Sequence, residues 1–133
     1  MEFEIGSFVL ASYKTGTYIG KLIENRGAKA VVEVHGVAIH PEQGNLHHPG
    51  QSEGIFFHQR RALAYREKAL MPVMDLHEFV GDVPDYRISL ENTLLQERQR
   101  MAVLMNDERS RAWAMRAEEE LSQLHIDYGF RNS

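Results

Sequence analysis

The sequence changes character at Pro84. All four lysines and nine of the ten glycines precede it, and beyond it lie no proline, no lysine and only the near-terminal Gly129. Glycine and proline punctuate short strands and turns. Long stretches free of both, with apolar residues at helical spacing, read as helices. The chain is therefore expected to be α+β, with a β domain over residues 1–84 and an antiparallel helical hairpin over residues 85–133.

Within the first part, the apolar run from Ser7 to Tyr13 is closed by the turn residues Lys14 to Thr17, and Tyr18 to Ile23 forms a second run. Asn25-Arg26-Gly27 supplies a turn in which asparagine and glycine tolerate positive φ. Ala30, Val32 and Val34 then alternate with Val31, Glu33 and His35, the period of a half-buried strand. At Gly36 the phase slips and Val37 and Ile39 take over, which predicts a bulge or bend at that glycine. Bends of this kind curl a short sheet into a small barrel. Ala62 to Lys68 is expected as a further strand, stopped by Pro72.

In the second part, Asp85 sits where an N-cap belongs, and Tyr86, Leu90, Leu94, Met101 and Leu104 keep helical spacing. Asn106 or Asp107 is expected to cap the second helix across a short link, Met105 to Asp107. That helix carries the stripe Trp113, Ala117, Leu121, Leu124 and Tyr128, with Gly129 as its C′ residue. Glu118, Glu119 and Glu120 read as a solvated face. The methionines Met101, Met105 and Met115 read as core or docking residues, adaptable because methionine repacks readily. A homodimer through these helices is one outcome such a hairpin allows.

Composition narrows function. There is no cysteine, so disulfides, thiolate zinc sites and cysteine nucleophiles are excluded. No apolar run reaches the ~18 residues of a membrane span, and the opening residues lack a signal peptide's basic region and small-residue cleavage site. A cytoplasmic domain without direct membrane insertion is expected. Lys+Arg is 15 against 19 Asp+Glu, a net charge of −4. Nucleic-acid binding, which draws on a basic surplus, is disfavoured.

The stretch from His40 to His58 stands apart: its first fifteen residues, up to Gly54, have no evident secondary structure, which in a small chain marks a functional loop. It holds His40, His47, His48 and His58, the residues from which a metal site would have to be made. Their spacing argues against one. There is no HExxH, and adjacent His47 and His48 point to opposite sides of an extended backbone. No Gly-rich phosphate loop or GxSxG elbow occurs. Asp75, His77 and Glu78 form a trio common by chance, and His125 reads as a surface histidine. No cofactor is implied. A proline-binding groove would need clustered aromatics on the β domain, whereas the sole tryptophan is on a helix.

GSFVLASYKTGTYIGKLIE, the block HPEQGNLHHPGQSEGIFFHQRRALAYREK and the run Gly81 to Tyr86 together resemble the kinase-associated protein B family of sporulating bacilli. The resemblance runs from about Glu4 to Leu95, and its most specific element pairs HPxQGxLH with FFHxRxALAxxEK. It implies an SH3-like barrel with an appended helical region, and an accessory role supporting a membrane sensor histidine kinase in the sporulation phosphorelay. The family's lipoprotein label does not suit a chain without cysteine, so membrane association would come through the kinase. The expected function is a non-enzymatic binding module, with a His-based metal-binding protein or enzyme as the alternative. Gln43, Leu46, His47, His48, Phe56, Phe57, His58 and Arg60 are expected to form the partner-binding surface. Phe56 and Phe57 would be its anchors, one of them also core, and Arg60 with the histidines would supply polar specificity.

Overall fold

In a computed structural model the described residues are 3–44 and 57–131. Contacts gather the chain into two compact units. One comprises the residues up to Pro41 together with Ala62–Leu90, and the other Glu42–Arg61 together with the residues from Glu91 onward. This differs from a division at Pro84: the segment after Pro41, read as a loop of the β domain, groups with the helices.

The first unit is a five-stranded antiparallel sheet in the order β4-β3-β2-β1-β5. Its strands are β1 (Phe8–Tyr13), β2 (Gly16–Arg26), β3 (Lys29–Ile39), β4 (Lys68–Pro72) and β5 (Leu76–Glu78). β1 and β2 form a hairpin through Lys14, whose φ is 54°. β2 and β3 turn at Gly27, where φ is 77° and the amide donates to Asn25 Oδ1 at 3.1 Å. The phase slip is present: the register passes from Ile19↔Gly36 to Gly20↔Val34, leaving His35 as the extra residue beside the glycine. Val34 and Gly36 are buried in phase with Ala30 and Val32, and beyond the slip Val37 is buried out of phase with them. A Cβ at Gly36 would stand 3.0 Å from Pro84 Cγ, so the glycine also admits that proline.

The strand expected over Ala62 to Lys68 is corrected. Residues 62–67 form no strand, and β4 begins at Lys68. Arg66 lies in the left-handed region with φ 67°, a conformation that no ladder passes through. The resulting turn is held to β3 from both sides, by Arg66 N donating to Val34 O at 2.6 Å and Val34 N donating to Glu67 O at 2.9 Å.

β4 and β5 are consecutive in the chain and stand at opposite ends of the sheet, joined by a 3₁₀ turn of three residues, Val73–Asp75. Four strand spacings in a flat sheet measure about 19 Å, and three residues reach at most about 11 Å. The sheet therefore has to curl. Among the described residues β4 pairs only with β3 and β5 only with β1, so the expected barrel is open. Inside the curl lie Val9, Tyr18, Leu22, Val32, Val34 and Met71, each at most 2% exposed. On the sheet, Glu33 accepts a hydrogen bond from His35 Nε2 at 2.8 Å. That bond, with Arg66 and Lys68 nearby, holds the carboxyl below its ordinary range.

Helix α1 (Tyr86–Leu104) begins as expected, with Ile88 N donating to Asp85 Oδ2 at 3.0 Å. Helix α2 (Arg111–Asp127) starts later than expected. Neither Asn106 nor Asp107 caps it, because Ser110 N donates to Asp107 O at 3.1 Å and makes a separate turn. At its other end Gly129, with φ 82°, is the C′ residue. Gly129 N donates to Ile126 O at 2.9 Å and Phe130 N to His125 O at 3.1 Å, the paired bonds of a Schellman motif.

Gly20 tests the packing of the sheet. A Cβ there would collide with the Val32 side chain and lie 2.9 Å from Glu33 O. Gly20→Ala is expected to lower stability by about 1–3 kcal/mol, as overpacking does in tight cores, measured by urea unfolding. A change near zero would mean that β2 and β3 are looser than described.

Candidate functional site

In the second unit, the candidate surface is built on one glutamine. Gln43 is 3% exposed. Its Nε2 donates to Arg60 O at 2.9 Å, and its Oε1 accepts from Arg60 N at 2.8 Å. A carboxamide carries the same donor and acceptor as a peptide group, so the side chain stands in for a strand partner along Arg60. One residue on, Gly44 N donates to His58 O at 2.9 Å. Gly44 has φ 108°, and a Cβ there would lie 3.3 Å from both Phe57 Cε2 and Trp113 Nε1. Only glycine fits.

Phe57 packs against the apolar cluster of the hairpin, formed by Leu94, Met101, Trp113, Ala114, Ala117, Leu121 and Leu124. The Arg116 guanidinium lies 5.3 Å from the Phe57 ring centroid, and Arg61 lies 5.5 Å from that of Tyr128. Gln59 Nε2 reaches Glu120 O at 3.5 Å, a weak bond. Residues 57–61 are thus seated on α2 by a ring, two cations and an amide. His58, Gln59 and Arg61 face solvent, and Arg60 is half-buried with its Nε meeting no acceptor among the described residues.

The hairpin beneath is cross-linked by charge. Arg98 donates to Glu118 Oε1 at 2.7 Å and to Ser122 Oγ at 3.2 Å. Glu118 is therefore part of the helix pairing and not of a solvated face. Arg100 donates twice to the buried Glu97, at 2.7 and 2.8 Å, and lies 5.8 Å from the Trp113 ring. The Glu97 hydrogen bonds, with Glu42 adding its charge, hold the Arg100 guanidinium more firmly protonated than usual.

Of the expected partner-binding residues, the structure brings together Gln43, Phe57, His58 and Arg60, while Leu46, His47, His48 and Phe56 lie outside the described residues. Gln43 and Phe57 are inward-facing: one clamps the backbone and the other fills the cluster. His40 belongs to the first unit and is buried, its Nδ1 3.0 Å from Pro41 O. Among the described residues no three His, Asp or Glu side chains are placed to hold a metal ion. His125 is not a surface histidine. It is 7% exposed, and its ring lies 5.7 Å from that of Phe130, which the Schellman turn folds over it. Met115 is 53% exposed and does not belong to the core.

Sequence reading missed Gln59, Arg61 and Arg116, which no motif distinguishes. It also missed a row of rings on the first unit, where Phe8, His35, Tyr65 and Tyr86 follow one another at 5.3 to 5.7 Å. These come from four separate segments, so no local spacing could announce them.

A family model described as kinase associated protein B matches residues 13–129. The chain is 40% identical over 126 residues to the kinase-associated lipoprotein B of Bacillus subtilis (strain 168), covering 95% of this chain and 94% of that one. The crystal structure of kinase-associated protein B from Bacillus cereus superposes with a TM-score of 0.75 at 34% identity, covering 95% of this chain and 97% of the other.

The clamp makes a direct prediction. Gln43→Ala strands one part-buried N–H and one C=O of Arg60, and stability is expected to fall by about 1–3 kcal/mol in urea unfolding. An unchanged midpoint would show that the carboxamide holds nothing.

Proposed function

The chain belongs to the kinase-associated protein B family, and on that footing we propose that it is a non-enzymatic binding module that supports a membrane sensor histidine kinase of the sporulation phosphorelay. The kinase's cytoplasmic part is the partner. The observation that carries this reading is the Gln43 clamp. It fixes the backbone of residues 57–61 on the helices and leaves the side chains of His58 and Arg61 turned outward. A preformed surface binds without the entropic cost of ordering a loop. Arg60 is half-buried, and in this proposal its guanidinium meets a partner's carboxylate or carbonyl. Leu46, His47, His48 and Phe56 are further partner-contacting residues in this proposal.

Membrane proximity in this reading comes through the kinase. No helix of the described residues is long and apolar enough to cross a membrane. The 133 residues contain no cysteine to carry a thioether-linked lipid, although the Bacillus subtilis relative is named a lipoprotein. The exposed Val103 and Met115 on the two helices favour a second arrangement, a homodimer through the hairpin.

The kinase's cytoplasmic region, titrated with the full chain in a calorimeter, tests the proposal. Arg60→Ala and His47→Ala are each expected to weaken binding at least tenfold while light scattering reports the same oligomeric state. Undiminished binding by both variants would remove this segment from the interface.

A further inference from the structure

The two edges of the sheet are finished differently. β4 opens with Lys68 and closes with Pro72, a charge and a missing donor that both discourage another strand from pairing. β5 has neither. It pairs with β1 through Val9↔Glu78, Leu10↔His77 and Ala11↔Leu76, and among the described residues no strand follows it in the sheet. In an antiparallel pair alternate residues turn their N–H and C=O away from the partner, so β5 presents backbone donors and acceptors to the space beyond.

β5 and the residues flanking it also line a groove of about 980 Å3. Phe3, Phe8, Met74 and Phe79 give it apolar walls, with Met74 85% exposed. Val80, just past the strand, is 81% exposed. Among the described residues, the only fixed charges lining it are Glu4 and Glu78. No lysine or arginine is among the described lining residues, and neither carboxylate has an ion-pair partner there. An unpaired strand edge, apolar walls and uncompensated negative charge define one kind of occupant. A helix has no backbone groups to offer a strand edge, and an acidic segment would be repelled.

We propose that the groove beside β5 binds an extended protein segment that alternates apolar and basic side chains and adds to the sheet as a sixth strand. Backbone bonds to β5 set its direction, its apolar side chains lie against Phe8 and Phe79, and its lysines or arginines meet Glu4 and Glu78. The strand offers only three residues, so pairing alone binds weakly and the charges decide which segment is taken. This surface belongs to the first unit and stands independently of the kinase-binding reading.

The probes are two blocked heptapeptides, one alternating valine with lysine and the other valine with glutamate, titrated into the full chain and followed by amide chemical shifts. Saturable shifts centred on His77 to Val80 are expected for the lysine peptide, with the glutamate peptide at least tenfold weaker. N-methylation of alternate amides of the lysine peptide should weaken it at least fivefold. The double variant Glu4→Lys, Glu78→Lys should reverse the preference, and both positions are exposed enough to change without unfolding the sheet. Equal binding of the two peptides, shifts centred elsewhere, or no saturation would overturn the proposal. So would β5 shifts that grow with protein concentration alone, since the occupant would then be a second copy of the chain.

Discussion

The second unit depends on one side chain behaving as backbone. Segments 42–44 and 57–61 contain no helix or strand of their own, and an isolated piece of chain does not order itself for lack of hydrogen-bond partners. Gln43 provides those partners by giving both ends of its carboxamide to Arg60. Gly44 adds a backbone bond to His58. The same glycine leaves room for Phe57 to approach Trp113. Removing the clamp would leave Phe57 as the main tether of the segment to the helices.

The first unit is governed by a different constraint, the shortness of the link between β4 and β5. A three-residue turn joining opposite ends of a sheet dictates curvature, and the sequence supplies it with residues that break register. Three register shifts lie between β2 and β3. Gly20 permits close approach of the two strands, and Gly36 admits Pro84. Each bulge increases local twist. At the other end of the sheet β5 is only three residues long, and among the described residues no strand pairs with its outer edge.

Legibility in the sequence followed the range of the interactions. The β1–β3 strands, the Asp85 cap, the apolar stripe of α2 and the Gly129 terminus are local patterns of period two or of helical spacing, and the structure contains them. The slip at Gly36 was visible because alternation is sensitive to a single extra residue. Ala62 to Glu67 misled because Leu63 and Tyr65 alternate like a strand, while the left-handed Arg66 is set by bonds to distant Val34. β5 went unseen since three residues are too few to show a period. At the site, the block from His40 to Lys68 drew attention to the segment that Gln43 fixes. Its motif could not distinguish Gln43 and Phe57, which face inward, from His58, which faces solvent. The buried His125 was misplaced for a similar reason: the ring that covers it, Phe130, arrives only through the turn after the helix.

Amide hydrogen exchange of the full chain tests the central claim most directly. The Arg60 N–H donates to the Gln43 side chain and the Gly44 N–H to the His58 carbonyl. Both amides should therefore exchange within about tenfold of the Leu121 and Leu124 amides in the core of α2, as members of one cooperative unit do. Exchange of either at the rate of an unstructured peptide, while the helix amides stay protected, would contradict the account.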